Sequence, residues 1–359
     1  MEPVKIGILG CGATTRCMYG PVFKYLKNGV FAAAADTNQE QVRWAQEMYR
    51  APEIYTDRDQ MLDQADIDAV VVGTPVYCHL DDVLAIASAG KHVLCEKPMA
   101  RTPDECDQMI DTCRKHNVTL MVAFMKRYHK CFLKAKQMID DDELGPVFQV
   151  RVNWSFLSSP GGWRDSLPTW GGIYQDHGSH AIDLCRWWLG DIETASGEIG
   201  IVMNDREVED TAVATFRHNS GAISLHHMTR VAHQPLVELY EIMGTKGALK
   251  IEFGPAWSFV STEPFQMTLF RHGNTTVDVT PHNQGNLDQE IQANGQYLME
   301  LDHFCDCILH QLNPRTGGRD GRAAIEAINA VYLSSWTQSK IKLPLNETVD
   351  LEQGFLQVR

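Results

Sequence analysis

The chain has 359 residues, which exceeds one typical domain and favours two. Its hydrophobic share of 44% and charged share of 22% are ordinary for a globular protein. The formal net charge is -14, and such a surface repels the phosphates of nucleic acids and of anionic lipids, so we expect neither a nucleic-acid nor a membrane partner. No run approaches the roughly 20 apolar residues of a membrane-spanning helix. Because the chain also starts without a signal-peptide pattern, the expected location is cytoplasmic.

The ten cysteines are scattered, and several, such as Cys95, Cys113 and Cys185, fall inside apolar segments. No pair has C-x-x-C spacing; Cys305 and Cys307 are two apart on a predicted helix, where they point to different faces. The pattern favours buried, reduced thiols over disulfides or zinc ligands.

The first 126 residues alternate short β-branched runs with helical stretches, which predicts a parallel, doubly wound sheet. The predicted elements are strands at Val4–Leu9, Val30–Ala35, Ala69–Gly73, His92–Cys95 and Thr119–Ala123, and helices after Gly12 to about Lys27 and at Asn38–Tyr49, His79–Ala89 and Pro103–His116.

Residues 127–359 have a different rhythm, of long alternating strands, and form the second predicted domain. The predicted strands are Val147–Phe156, Thr211–Arg217, Ala222–Met228, Val237–Met243 and Ala248–Phe253. Short turns between them indicate an open, mostly antiparallel sheet. Three helices are expected to cover one face of it: Ile173–Leu189, Gln296–Leu312 and Asp320–Ser339.

A glycine-rich turn follows the first strand. Gly10 permits a tight turn, Gly12 lets a pyrophosphate approach the backbone, and the helix that begins there offers N–H groups to negative charge. Thr15 stands where a third small residue is usual, and any tight strand-to-helix turn favours glycine, so the motif by itself leaves a purely structural role open.

Asp36 ends the next strand, where a carboxylate can accept both ribose hydroxyls of NAD and repel the 2′-phosphate of NADP. NAD is therefore favoured over NADP. The alternative role for Asp36 is to cap the helix that starts near Asn38. Glu96 and Lys97 end another strand, on the edge of a parallel sheet where ligands bind; a surface ion pair is equally compatible with these two residues alone.

Taken together, these motifs resemble the glucose-fructose oxidoreductase / inositol dehydrogenase / rhizopine catabolism (Gfo/Idh/MocA) family over essentially the whole chain. The matching segments are Gly10-Cys11-Gly12, Thr74-Pro75 with His79, Gly90 to Pro98, Lys126-Arg127-Tyr128, Gly161 to Arg164, Gly171-Gly172, Asp176 to His180 with Asp183, and Gly244 to Gly247. The resemblance implies an N-terminal Rossmann domain, a C-terminal α/β domain whose open sheet forms homodimer or homotetramer contacts, and an NAD(P)-dependent dehydrogenase of sugars or cyclitols. Thr15 and His177 depart from the family pattern.

The resemblance also implies site residues. The cofactor contacts are Gly10, Gly12, Thr14, Thr15, Asp36, Thr74, His79, Glu96 and Lys97, and the substrate contacts are Arg127, Tyr128, Trp163, Arg164, Asp176 and His180. Asp176 and His180 are four apart in a helical stretch and so share a face. His180 is the predicted general base, Asp176 orients substrate or imidazole, and Lys97 polarises the hydroxyl. The alternative is an ordinary helix pair.

A zinc site built from His177, His180, His226 and His227 is conceivable but disfavoured, because adjacent strand residues face opposite ways. Two other functions stay open. An enzyme that retains NAD and uses transient sugar oxidation for glycoside cleavage or elimination would turn over without accumulating NADH. A non-enzymatic dinucleotide sensor would have no need for Lys97, Asp176 and His180 together.

Overall fold

The computed structural model describes residues 2–158, 161–203, 205–253, 265–273, 275–281, 289–345 and 349–358. Its strands are β1 (Val4–Leu9), β2 (Gly29–Ala35), β3 (Glu53–Tyr55), β4 (Ala69–Val72), β5 (His92–Cys95), β6 (Leu120–Val122), β7 (Val147–Ser155), β8 (Ile192–Gly200), β9 (Thr211–His218), β10 (Ile223–Thr229), β11 (Val237–Gly244), β12 (Gly247–Phe253), β13 (Phe265–Arg271), β14 (Thr275–Asp278) and β15 (Ile341–Lys342).

The α-helices are α1 (Gln39–Tyr49), α2 (Arg58–Gln64), α3 (Val76–Ser88), α4 (Pro103–Lys115), α5 (Lys130–Asp140), α6 (Ser179–Leu189), α7 (Gln289–His310), α8 (Gly318–Thr337) and α9 (Leu351–Val358). Two predicted helical stretches begin with π-helical turns, at Thr15–Tyr19 and Tyr174–Gly178. Turns of 3₁₀ helix lie at Gly20–Tyr25, Met125–Tyr128 and Gly162–Asp165. No helix in the described part of the chain is long and apolar enough to cross a membrane.

The chain folds into two units that differ from the single division expected between residues 126 and 127. The first unit comprises Met1–Tyr128 and Gly285–Arg322, and the second comprises His129–Gln284 and Ala323–Arg359. The first unit therefore takes up the chain again after β14, and the chain then goes back to the second unit, where β15 joins the sheet.

In residues 2–128, the first unit has six parallel strands in the order β3-β2-β1-β4-β5-β6. This is the strand order of a Rossmann fold, and the order reverses between β1 and β4. Buried β-branched residues fill β4, as expected for a strand covered on both faces. The predicted parallel, doubly wound sheet is confirmed, and the turns after β1 and β4 lie at the switch point where such folds bind ligands.

Helix α7 packs on this first unit. Its residues Tyr297, Leu301, Phe304 and Cys305 join the buried cluster that includes Ile6 of β1. The expectation that this helix covers the second sheet is therefore wrong. An amphipathic pattern tells that one helix face is buried, but it does not tell which sheet the face meets.

The described part of the second unit has nine strands in the order β14-β13-β12-β11-β7-β10-β9-β8-β15. Neighbours are antiparallel except β7 and β10, which run parallel. Along β9, buried residues alternate with exposed ones, so the sheet has one covered and one open face. Phe132 of α5 packs against Tyr240 and Phe265 of the sheet, and Ser334 of α8 bonds Gly197 of β8. The predicted open, mostly antiparallel sheet with helices on one face is confirmed.

Each of the ten cysteines lies in a described range and is a free thiol. Eight are buried, whereas Cys17 is exposed and Cys78 is intermediate. Burial raises the pKa of the Cys11 thiol to about 12, so this residue of the glycine turn is an unreactive, small core side chain.

Candidate active site

The glycine turn after β1 presses against the turn after β4. Gly10 has a φ of +94°, and a Cβ there would lie 2.7 Å from backbone atoms of Gly73 and Thr74. A Cβ at Gly12 would meet nothing within 4 Å. Gly10 is therefore required for a tight turn, while the backbone at Gly12 is open to a ligand, which is the arrangement that a pyrophosphate needs.

Asp36 joins the end of β2 to this turn. Its Oδ2 accepts the backbone N–H of Cys11 at 2.7 Å, and its Oδ1 accepts that of Asn38 at 2.8 Å. Asn38, and not Asp36, caps α1, because its side chain accepts the N–H of Glu40. Each carboxylate oxygen of Asp36 keeps further acceptor capacity, so the residue is pre-oriented for hydroxyl groups.

Thr15 takes up the third position of the glycine motif without disrupting it. The residue is buried, and its hydroxyl donates to the carbonyl of Gly10, which ties the helical turn back to the loop. Thr14 is half-buried and makes no side-chain capping bond. Arg16, which the sequence reasoning missed, stacks its guanidinium 4.4 Å from the centre of the Trp44 ring and donates to the Cys11 carbonyl at 3.4 Å. The sequence feature that could have pointed to Arg16 is its positive charge shortly after the glycine turn.

Thr74 and His79 connect protein segments to one another. The Thr74 hydroxyl donates to Asp82 at 2.7 Å. His79 is 1% exposed, and both ring nitrogens face backbone carbonyl oxygens. The His79 side chain thus contacts the backbone of two turns, and its predicted cofactor contact stays a prediction.

Glu96 and Lys97 differ sharply in environment. Glu96 is buried; its carboxylate accepts the Tyr19 hydroxyl at 2.8 Å and the backbone N–H of Lys97 at 3.1 Å. Lys97 is half-buried, whereas its neighbours Glu96 and Pro98 are buried. Glu96 thus anchors the turn after β5 from inside, and Lys97 is the more exposed residue of the pair.

Arg127 and Tyr128 lie inside the first unit. Arg127 pairs with Asp320 at 3.1 Å and donates to the carbonyl of Arg315 at 3.1 Å. Tyr128 is 1% exposed, belongs to the core cluster, and has the Arg315 guanidinium 4.8 Å from its ring centre. Protein groups contact both side chains, and the substrate contacts predicted for Arg127 and Tyr128 stay predictions.

In the second unit, Asp176 lies in the π-helical turn Tyr174–Gly178. The Arg164 Nε atom is 3.3 Å from Asp176 Oδ2, and the same guanidinium lies 4.2 Å from the centre of the Trp163 ring. The sequence-predicted residues Trp163, Arg164 and Asp176 are therefore brought together. A π-helical turn often marks a functional position.

His180 follows in the first turn of α6 and is 4% exposed. Its ring lies over that of Trp154, with centroids 6.4 Å apart and planes inclined by 27°. The rings of Trp154 and His177 are nearly perpendicular, with centroids 4.7 Å apart. The Nδ1 atom of His177 is 3.6 Å from Oδ2 of Asp176. The unusual His177 is thus a neighbour of the predicted carboxylate and packs on an aromatic wall that it shares with His180.

The Gly171-Gly172 pair permits close approach between protein groups. A Cβ on Gly171 would lie 2.1 Å from the Arg164 carbonyl oxygen, and one on Gly172, whose φ is +115°, would lie 2.2 Å from Glu209. The groups that approach these glycines are the Arg164 backbone and the Glu209 carboxylate.

Glu209 is a second residue that the sequence reasoning missed. It is fully buried and accepts the Tyr332 hydroxyl at 2.8 Å and the Tyr174 backbone N–H at 2.9 Å, at the start of the turn that carries Asp176. Burial raises the pKa of Glu209 to about 7 against the opposing effects of Tyr332, Tyr174 and Arg230. The available signal in the sequence was the acidic pair Glu209-Asp210 that precedes the alternating strand β9.

His226 and His227 point in opposite directions, as adjacent strand residues do. His226 is buried between Tyr174 and Cys185, and burial lowers its pKa to about 3, whereas the exposed His227 lies 2.9 Å from Asn153. Within the described ranges, His, Cys, Asp and Glu side chains form no cluster of three or more that could hold a metal ion.

Both halves of the chain match models of known protein families. Residues 4–124 match the family model described as an oxidoreductase family with an NAD-binding Rossmann fold, and residues 132–250 match the Gfo/Idh/MocA C-terminal domain. An uncharacterized oxidoreductase of Schizosaccharomyces pombe is 31% identical over 276 residues, 71% of each chain. The chain belongs to the Gfo/Idh/MocA oxidoreductase family. Its first unit therefore contains the family's NAD-binding domain, in agreement with the open backbone at Gly12 and the oriented carboxylate of Asp36.

Two further family members are similar over nearly the full length. A myo-inositol 2-dehydrogenase of Thermotoga maritima is 27% identical over 351 residues, 95% of this chain and 98% of its own. The crystal structure of aldose-aldose oxidoreductase from Caulobacter crescentus complexed with glycerol superposes with a TM-score of 0.84 at 28% identity, covering 95% of this chain and 100% of that one.

Proposed function

We propose that this protein is an NAD-dependent dehydrogenase that moves a hydride between nicotinamide and a secondary hydroxyl of a sugar, glycoside or cyclitol. The observation that carries the proposal is the placement of Lys97. It is the half-buried residue in an otherwise buried turn at the carboxyl end of β5, in the NAD-binding domain, on the edge where parallel sheets bind ligands.

Lys97, Asp176 and His180 divide the chemistry in this proposal. Bound NAD would supply the hydride acceptor for the oxidation of an alcohol, and the residues of the protein have to take the hydroxyl proton. The His180 imidazole accepts that proton, since imidazole titrates near neutral pH. The Lys97 ammonium donates a hydrogen bond to the same oxygen and stabilises the alkoxide charge as it develops. Asp176 accepts hydrogen bonds from substrate hydroxyls.

The preference for a polyhydroxylated substrate is supported by the Asp176 neighbourhood and by the relatives. A carboxylate held by Arg164 beside the Trp163 ring offers both an acceptor for vicinal hydroxyls and a flat apolar surface for a sugar ring. A myo-inositol dehydrogenase and an aldose oxidoreductase solved with glycerol are among the similar proteins. We therefore keep Trp163 and Arg164 as substrate contacts.

A substrate screen tests this function. The protein is incubated with NAD or NADP and with free sugars, glycosides and inositols, and reduced nicotinamide is followed by absorbance. We expect NADH formation with at least one polyol, lost in Lys97→Ala and retained in Lys115→Ala, which removes an exposed lysine of α4. Normal activity in Lys97→Ala would contradict the mechanism. Product without net NADH would favour the cofactor-retaining alternative, and cofactor binding without any product would favour a sensor.

We also propose that the open face of the second sheet joins copies of this chain in a homodimer or homotetramer. That face carries exposed apolar residues, with Val213 51% and Phe270 40% exposed, beside the Arg151–Glu241 ion pair at 2.9 Å. Analytical ultracentrifugation of the wild type and of Val213→Asp tests it. We expect an oligomer that dissociates in the variant; a monomeric wild type would refute the proposal.

A further inference from the structure

A buried histidine connects the turns that follow β4 and β5. His79, on α3, has its Nε2 atom 2.8 Å from the carbonyl oxygen of Thr74 in the first turn. Its Nδ1 atom lies 3.0 Å from the carbonyl oxygen of Pro98 and 3.2 Å from that of Met99 in the second. The ring therefore bridges the segment directly after Lys97 to the neighbouring strand end.

The two sides of the ring are not equivalent. Two carbonyl oxygens converge on Nδ1, and one faces Nε2. Burial lowers the pKa of His79, and a neutral imidazole carries a hydrogen on only one nitrogen. If the hydrogen were on Nε2, the lone pair of Nδ1 would face two carbonyl oxygens; with the hydrogen on Nδ1, this repulsion is avoided. The ring therefore donates to Pro98 and Met99, and its Nε2 atom packs against the Thr74 carbonyl without donating to it.

Lys97 has fixed neighbours on both sides. Before it, the Glu96 carboxylate is held by the Tyr19 hydroxyl and accepts the Lys97 backbone N–H. After it, the Pro98 and Met99 carbonyls face His79. Glu96, Pro98 and Met99 are buried, whereas Lys97 is half-buried, so the backbone on either side sets the direction in which the lysine side chain leaves the turn.

We infer that His79 is a positioning residue: through Nδ1 it holds the backbone after Lys97 and thereby aims the Lys97 ammonium group. The importance of that aim for catalysis rests on the proposed function, because a displacement of about 1 Å can cost about a hundredfold in rate. The effect of His79 on the position of Lys97 does not depend on any substrate. This role differs from a direct cofactor contact.

Two substitutions separate the sides of the ring. The amide nitrogen of asparagine can occupy the place of Nδ1, and that of glutamine can occupy the place of Nε2. His79→Asn therefore keeps a donor for Pro98 and Met99, and His79→Gln keeps one for Thr74. The readout is the rate at which N-hydroxysuccinimidyl acetate acylates Lys97 in the full-length protein, measured by peptide mass spectrometry and normalised to exposed Lys115.

We expect His79→Gln to change the normalised rate at Lys97 by about threefold or more, since a redirected lysine meets different charges and a different exposure. His79→Asn should stay close to the wild type. Equal rates in all three proteins, or a change in His79→Asn alone, would overturn the inference. Unfolding of both variants would overturn it as well, because the histidine would then support the whole unit. A failed substrate screen would refute the proposed function and leave this result standing.

Discussion

The Nε atom of Arg164 lies 3.3 Å from Oδ2 of Asp176, which places a guanidinium on the carboxylate that we assign to substrate hydroxyls. Asp176 is 8% exposed, so the nearby cation offsets part of the cost of burying its charge. The same guanidinium covers the Trp163 ring. Arg164 therefore links the Trp163 ring to the Asp176 carboxylate. The first two residues lie in the 3₁₀ turn Gly162–Asp165, and Asp176 lies in the π-helical turn Tyr174–Gly178.

A double-mutant cycle measures this link. We expect Arg164→Met to cost more stability than Asp176→Asn, because methionine leaves a buried carboxylate without this cation. The coupling between the two changes should be about 1 kcal/mol in urea unfolding. The control is the exposed Arg114–Asp111 pair of α4, which has a shorter distance of 2.9 Å but should show almost no coupling. Equal coupling in the two pairs would contradict the assignment.

Gly172 tests how closely the Asp176 turn is packed. Gly172→Ala adds a Cβ only 2.2 Å from Glu209 at a φ of +115°, whereas Gly221→Ala meets nothing within 4 Å at a φ of +87°. The control should lose about 1 kcal/mol from backbone strain alone. Gly172→Ala should lose about 3 kcal/mol, because the carboxylate has to move as well. Urea unfolding gives both free energies. Similar losses in the two variants would mean that the Glu209 side chain moves aside at little cost.

Glu209 should make stability depend on pH. Burial raises its pKa from the ordinary 4.5 to about 7 in the folded protein, so the folded state keeps the proton to a higher pH. Stability should therefore fall as pH rises from about 4.5 through 7, by up to roughly 3 kcal/mol, and level off above that. Glu209→Gln should flatten this part of the profile, whereas Glu193→Gln, an exposed residue of β8, should not. Unfolding midpoints at pH 5 and 8 decide the matter; parallel profiles would contradict the buried, proton-retaining carboxyl.

The sequence sufficed for elements whose hydrophobic pattern is strong. Strands β1, β2, β4 and β5 are apolar runs, and Gly10 marks the turn that begins the ligand edge. Strand β8, IETASGEIG, has only scattered apolar residues and was missed, because its pairing with β9 and its cover by α8 supply what the pattern lacks.

Polar residues were harder to place, because a sequence does not show what surrounds a charge. Arg127 was expected to meet substrate, yet Asp320, far along the chain, takes its guanidinium. Glu209 bonds Tyr332 and the start of the Asp176 turn, and nothing in the sequence around it indicates either partner. Both pairings depend on the return of distant segments, which periodicity along the chain does not encode.

Asp36 provides the test of cofactor choice. Its carboxylate is oriented by the backbone N–H groups of Cys11 and Asn38, at the end of β2 where a ribose is expected. Asp36→Asn keeps the size but removes the charge and one acceptor. We expect NAD to bind about tenfold more weakly, a loss of about 1.4 kcal/mol, because a ribose hydroxyl loses its partner. NADP should bind no worse, since the repulsion of its 2′-phosphate is gone. Asp59→Asn, an exposed residue of α2, is the control. Fluorescence titration with NADH and NADPH gives both dissociation constants, and an equal loss for the two cofactors would show that Asp36 shapes the glycine turn and does not select between them.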